Sequence, residues 1–234
     1  FLSRHQVAVQ TQTGETTISA ENVIIATGST PSALPFAPIN GQTIINSDHA
    51  LELDHIPESL AIVGGGVVGC ELAQAFARMG SRVTVFELLP KLLGTMDGDQ
   101  SALIQRTLKK DGVELHLACT IDEVVDSGKD VEIRFSVGGA QKSITVEKLL
   151  VATGRKPATS GLAAEAAGIA LDHRGAIPVD AQCRTNVDGI YAIGDVTGGV
   201  QLAHVASHQG MVVVNNLFGA EEELDHRVIP YCVY

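Results

Sequence analysis

An α/β fold with parallel sheets is predicted by three features of the 234-residue sequence. Strand-length apolar runs alternate with amphipathic stretches long enough to be helices. One such run opens directly into a glycine-rich loop, Gly64-Gly-Gly-Val-Val-Gly69. A third feature is internal repetition: Asn22-Val-Ile-Ile-Ala-Thr-Gly28 returns as Lys148-Leu-Leu-Val-Ala-Thr-Gly154, and each copy reaches a proline soon after, Pro31 and Pro157. The apolar runs ending in Ala-Thr-Gly read as buried parallel strands that stop where glycine lets the backbone approach a ligand. Upstream of each copy lies an alternating pair of strands. Val7–Thr11 and Thr16–Ser19 flank a turn at Thr13-Gly14, and Val131–Phe135 and Ser143–Val146 flank one at Gly138-Gly139. These are expected to form half-exposed β-meanders.

In chain order, Leu60-Ala-Ile-Val-Gly64 is a buried strand that enters the glycine loop. A helix follows, with Val68, Leu72, Ala75, Phe76 and Met79 at helical spacing and Gly80 as its stop. The next strand, Arg82-Val-Thr-Val-Phe86, ends in Glu87. Asp97–Asp111 reads as a second helix, with Lys109-Lys110 suiting its C-terminal dipole. Glu114–Ala118 supplies another strand, and a short alanine-rich helix is expected around Leu162–Ala167. Gly189-Ile-Tyr-Ala-Ile-Gly-Asp195 is a strand ending in Gly-Asp, and Gln201–His208 opens a last helix whose stripe is Leu202, Ala206, Gly210, Val213 and Leu217.

The chemistry concentrates at the glycine loop. Gly64 suits a tight turn, Gly66 the approach of a pyrophosphate, and Gly69 the packing of helix on strand, with Gly65, Val67 and Val68 between them. The anion would sit over the helix N-terminus, where N–H groups and the dipole favour negative charge. A strand before, a helix after and an acid at the end of the next strand make this a dinucleotide site. Glu87 is either a solvated strand-end carboxylate or the acceptor for the adenosine ribose hydroxyls. The second reading predicts NAD(H) over NADP(H), because a 2′-phosphate would meet its charge and Lys91 is the only cation nearby. Glu71, so close to the pyrophosphate, is expected to point elsewhere, toward the nicotinamide end. Cys70 is expected to pack rather than react.

Composition narrows the remaining classes. A net charge of −11 leaves no basic surplus for nucleic acid. No uncharged apolar run is long enough to span a membrane and no signal peptide is evident, so the default expectation is a cytoplasmic protein. The four cysteines, Cys70, Cys119, Cys183 and Cys232, form neither a zinc pattern nor a short-loop redox pair. His204 and His208 share a helix face, but no third ligand joins them, and no metal is expected. Asp195, at a strand's carboxyl end, is either a turn former ahead of Gly198-Gly199 or a ligand group facing the crevice of an α/β sheet. Two closing sections with only one phosphate loop lead us to expect a fragment, with the first unit's opening turn lying before Phe1.

Together Gly64–Gly69 with Glu71, Glu87, Gly154-Arg155-Lys156-Pro157, Ile190–Asp195 and Leu202-Ala203-His204 resemble the pyridine nucleotide-disulfide oxidoreductases, most of all their dihydrolipoamide dehydrogenase branch. The resemblance implies a Rossmann-like NAD-binding domain, 36–154, inserted in a truncated FAD-binding Rossmann-like domain, 1–35 and 155–228. Residues 229–234 would begin a dimerisation domain. It further implies that Gly64, Gly65, Gly66, Val67, Val68, Gly69, Glu71, Glu87, Ile121 and Gly154 contact NAD. Thr27, Gly28, Ser29, Asp195, Gln201, Leu202, Ala203 and His204 would face FAD, Asp195 through the ribityl chain. The intact parent is expected to be a homodimer that passes electrons from a small dithiol through a cysteine pair and FAD to NAD⁺. This chain holds neither that cysteine pair nor the catalytic His–Glu pair. It is therefore expected to have no catalytic residues of its own, to bind NAD(H) without turnover, to bind FAD poorly or not at all, and to self-associate. Gln209 stands where many relatives would carry an acid. A parent resembling an NADH oxidase, a glutathione reductase or a mercuric reductase, or a nucleotide-binding module without catalysis, is the alternative.

Overall fold

The computed structural model describes residues 1–225 and 227–234. Its contacts group the chain into two compact units, Phe1–Thr30 with Arg155–Tyr231 and Pro31–Gly154 with Cys232–Tyr234. Along the chain run β1 (Gln6–Thr11), β2 (Gly14–Ser19), β3 (Val23–Ile25), β4 (Ser29–Pro31) and β5 (Ile44–Ile45), then α1 (Ser47–Leu51). β6 (Ser59–Val63), α2 (Val67–Arg78), β7 (Arg82–Phe86), α3 (Gly98–Lys110) and β8 (Glu114–His116) follow. Next come β9 (Cys119–Asp126), β10 (Val131–Val137), β11 (Ala140–Val146), β12 (Lys148–Val151) and β13 (Arg155–Pro157). β14 (Ile190–Ala192) and α4 (Ala203–Leu217) close the chain.

The unit 31–154 is built on a parallel sheet in the order β5-β12-β6-β7-β8. Its central strands are largely apolar because both faces are covered, with Thr84 a buried polar exception. Alternate residues Leu60, Ile62, Val83, Val85 and Leu150 join Cys70, Ala73, Phe76 of α2 and Leu108 of α3 in one core cluster. The intervening residues Ala61, Val63, Phe86, Leu149 and Val151 join Val131, Ile133 and Phe135 of β10 in a second. The antiparallel meander β9-β10-β11 therefore covers the sheet face that α2 and α3 leave. Gly138 and Gly139 make its hairpin turn with φ of 57° and 81°, conformations that favour glycine.

The other unit carries the β1–β2 hairpin and a parallel pair, β3 with β14, in which Val23 lies opposite Ile190. Its core joins Ile25, Ile190, Ala192 and Val196 to Ala164, Ala167 and Ile177. The strand pairs holding the two Ala-Thr-Gly copies thus have the same parallel character, as the repeat predicts.

Local details differ from expectation. The first hairpin turns at Gln12-Thr13, since Gly14 already pairs with Thr11. The alanine-rich stretch is a 3-10 turn, Ala164–Ala167, and β8 ends at His116 because Ala118 takes a left-handed φ of 49°. α4 begins at Ala203, and its buried residues are Val205, Gln209, Val212 and Val213 rather than the full stripe through Leu202 and Leu217. Among the described residues, no helix is long and apolar enough to cross a membrane.

Candidate functional site

The glycine loop is shaped by close backbone approach. Gly64 has φ 112°, and a Cβ on it would lie 2.4 Å from the Ala152 carbonyl oxygen of the neighbouring strand's exit. A Cβ on Gly69 would lie 1.9 Å from the Gly64 carbonyl oxygen, so only glycine lets α2 settle against β6. Gly66 is different: a Cβ there would meet nothing within 4 Å. It is the N-cap of α2, no side chain caps it, and no acid stands in the first turn formed from Val67 and Val68. An uncapped helix start beneath open space leaves backbone N–H groups free to meet an anion.

Glu87 follows β7 and is held from two sides. The Gly65 N–H donates to its Oε2 at 2.6 Å and the Leu89 N–H to its Oε1 at 2.7 Å. An ionised carboxylate accepts about four hydrogen bonds, so each oxygen retains capacity for a sugar hydroxyl. Gly65 is internal scaffold: its N–H serves Glu87, and its carbonyl accepts from Leu93 N–H at 2.8 Å and Cys70 Sγ at 3.4 Å. Burial, then the Glu87 and Glu71 charges, push the Cys70 thiol up to about 12, which makes it a packing residue.

The other residues singled out in this unit lie as follows. Ile121 is half-buried in β9, opposite Phe135. Gly154 has φ 121° with open space around it, and its carbonyl accepts from Ser32 N–H at 2.9 Å. Glu71 accepts from the Tyr234 N–H at 3.4 Å, and Val233 packs against the same core cluster as Val67 and Leu72. Nothing in local sequence pattern places Val233 and Tyr234 there, because Tyr234 and Glu71 are 163 positions apart in sequence.

In the unit 1–30 with 155–231, Asp195 stands in a 3-10 turn just after β14. Its Oδ2 accepts from Ser29 Oγ at 2.5 Å. The Gly194 N–H donates to Oε1 of Gln209, buried in α4, at 2.6 Å. Gln209 thus anchors the Gly-Asp turn through an amide oxygen, a task for which no charge is needed. Thr27 Oγ1 donates to the Ala158 carbonyl at 2.7 Å, and Gly28, with φ 72°, faces open space. α4 starts without a side-chain cap at Leu202, and Gln201, Ala203 and His204 are exposed around that start.

A family model decides the matter: that of the pyridine nucleotide-disulphide oxidoreductases matches residues 2–210. The chain belongs to this family. Among curated relatives, dihydrolipoyl dehydrogenase of Bacillus subtilis is 41% identical over 234 residues, covering 100% of this chain and 50% of the relative. The mitochondrial dihydrolipoyl dehydrogenase of Pisum sativum is 38% identical over 237 residues, covering 100% and 47%. Among solved structures, LpdA from Mycobacterium tuberculosis matches with a TM-score of 0.89 at 31% identity, over 100% of this chain and 50% of that one. The HOCl-induced flavoprotein disulfide reductase RclA from Escherichia coli, as a Cu(II) complex, gives 0.85 at 34%, over 94% and 49%. The chain spans about half the length of the relatives it matches. Pyridine nucleotide-disulphide oxidoreductases use NAD(H) and FAD. The residues present fit both groups. The open, uncapped start of α2 beside the Glu87 carboxylate suits a dinucleotide. The uncapped start of α4 and an Asp195 carboxylate tied through one oxygen suit a flavin with a polyol chain.

Proposed function

We propose that the chain is the NAD-binding section, with part of the FAD-facing section, of a dihydrolipoyl dehydrogenase-like oxidoreductase, and that it binds NAD(H) in preference to NADP(H) without turnover of its own. The observation that carries this reading is the double hold on Glu87, which aims a charged carboxylate beside the phosphate loop. The Val67 and Val68 N–H groups at the α2 start would meet the pyrophosphate, with Gly66 giving room. Glu87 would accept from the ribose hydroxyls, and a 2′-phosphate would meet its charge unfavourably. Ile121 and Gly154 would line the dinucleotide, while Glu71, beside Val233 and Tyr234, would face its nicotinamide end.

Bound nicotinamide and flavin supply hydride acceptance and electron carriage. This chain's residues bind and orient. Asp195 would hold the flavin's polyol, and the dipole at the α4 start would favour negative charge on the reduced ring. A dithiol substrate needs a cysteine pair, and no two of the four cysteines here lie in a short loop. The test is lipoamide-dependent NADH oxidation by the chain beside an NADH-binding titration. The expected result is binding with no turnover; turnover by this chain would overturn the reading. The exposed apolar residues Met211, Val214 and Phe218 on α4 and its C-terminus support self-association, which light scattering at rising concentration would register as growing mass.

A further inference from the structure

We propose that Arg155 is a positioning residue of the flavin-facing site: it fixes the orientation of the Asp195 carboxylate by acting through Ser29. The inference rests on the reading that Asp195 meets a flavin's polyol chain. Arg155 opens β13 and Ser29 opens β4, two short strands that pair with each other. The guanidinium grips Ser29 twice, Nε donating to Oγ at 2.7 Å and Nη2 to the carbonyl oxygen at 2.8 Å. Ser29 Oγ lies 2.5 Å from Asp195 Oδ2.

The direction of this chain of hydrogen bonds follows from what each group can do. A guanidinium donates and never accepts. With Arg155 donating to Oγ, the single Ser29 proton is left to go to the carboxylate. Asp195 Oδ2 is therefore held by an oriented hydroxyl, itself held by a charged donor that also clamps the Ser29 backbone. From the other side, Gln209 holds the Gly194 N–H, which fixes the turn on which Asp195 stands. That hold is on Oδ2, so Oδ1 is set in a fixed direction toward a ligand hydroxyl. A preorganised acceptor loses less on binding than one that must first find its rotamer. Neither Arg155 nor Gln209 touches the ligand in this scheme.

The test uses the 234-residue chain with NAD⁺ at saturation, so that the glycine-loop site is filled. FAD is titrated by flavin fluorescence, and lumiflavin, which has the ring but no polyol, is titrated in parallel. The wild type is expected to bind FAD weakly, yet more tightly than lumiflavin. Arg155→Gln and Ser29→Ala should each weaken FAD about tenfold, the size of one charge-assisted hydrogen bond, and leave lumiflavin unchanged. Ser29→Thr, which keeps the hydroxyl, should retain wild-type affinity, and the double variant should be no weaker than either single one. NADH binding reports that each variant is folded, and Arg155→Lys replaces Arg155→Gln should the latter fail to fold. Equal FAD affinity in wild type and variants would overturn the positioning role while leaving the flavin reading intact. Failure of the wild type to bind FAD would overturn the flavin reading and this inference with it.

Discussion

Gly69 and Glu87 place opposite demands on a side chain. At Gly69 there is no room for one, because the nearest atom to a Cβ would be the Gly64 carbonyl oxygen at 1.9 Å, a backbone atom that cannot swing aside. Gly69→Ala should cost about 3 kcal/mol of stability, the upper part of the range for overpacking, and chemical denaturation measures it; a loss under about 0.5 kcal/mol, the scale of a neutral surface change, would mean the helix shifts freely. Glu87→Ala removes the acceptor for two backbone N–H groups as well as the proposed ribose contact. NADH affinity should fall at least about tenfold, read by quenching of nucleotide fluorescence. The glycines and the acid were legible in the sequence because their spacing is set by one local unit, strand, turn, helix and strand. The roles of Gly65 and Gln209 were not. Each depends on a partner brought close only by folding, Glu87 for the first and Gly194 for the second.

At the scale of elements, the meander is attached to the parallel sheet by aromatic packing. Phe135 of β10 meets Phe86 of β7 edge to face, with ring centres 4.8 Å apart, and His116 of β8 lies against both. Phe135 is 1% exposed. Phe135→Ala should cost about 3–5 kcal/mol, and loss of the meander's protection in hydrogen exchange should accompany it. Strand alternation in Val131–Phe135 announced this element, whereas β9 was missed because its alternation is weak and its bulge opposite Arg134 and Phe135 shifts the register.

A second tie lies at the entry to β6 and β12. His55 Nδ1 is 2.6 Å from Asp54 and Nε2 is 2.7 Å from Glu147, which also accepts the Glu58 N–H. Glu147 first and Asp54 second raise the imidazole above its ordinary 6.5. Its stabilising effect is therefore full below about 6.5 and lost as pH rises through the higher folded value. Both carboxylates are held below their usual range, Asp54 by the His55 hydrogen bond, and Glu147, against burial that pushes it up, by His55 and then the Glu58 N–H. Their part is present above the ordinary carboxylate pKa and lost as pH falls through the depressed values. The melting-temperature difference between wild type and His55→Gln should be largest near pH 5–6, between the carboxylate and imidazole ranges, and should vanish in alkali. A difference that does not change with pH would refute the tie.

For the molecule as a whole, the parallel sheets, their order of appearance and the family were readable from repeat, glycine loop and motif order. The grouping of Cys232–Tyr234 with residues 31–154 was not, since no local pattern marks a three-residue segment that packs on a helix far away in sequence. Self-association should appear as mass that rises with concentration in light scattering, and a strictly monomeric profile would count against it. The most direct measurement is a paired calorimetric titration of the chain with NADH and NADPH under one set of conditions. A carboxylate aimed beside an uncapped helix start predicts saturable 1:1 binding of NADH, with NADPH at least about tenfold weaker. Equal affinity for the two, or no heat with NADH, would contradict it.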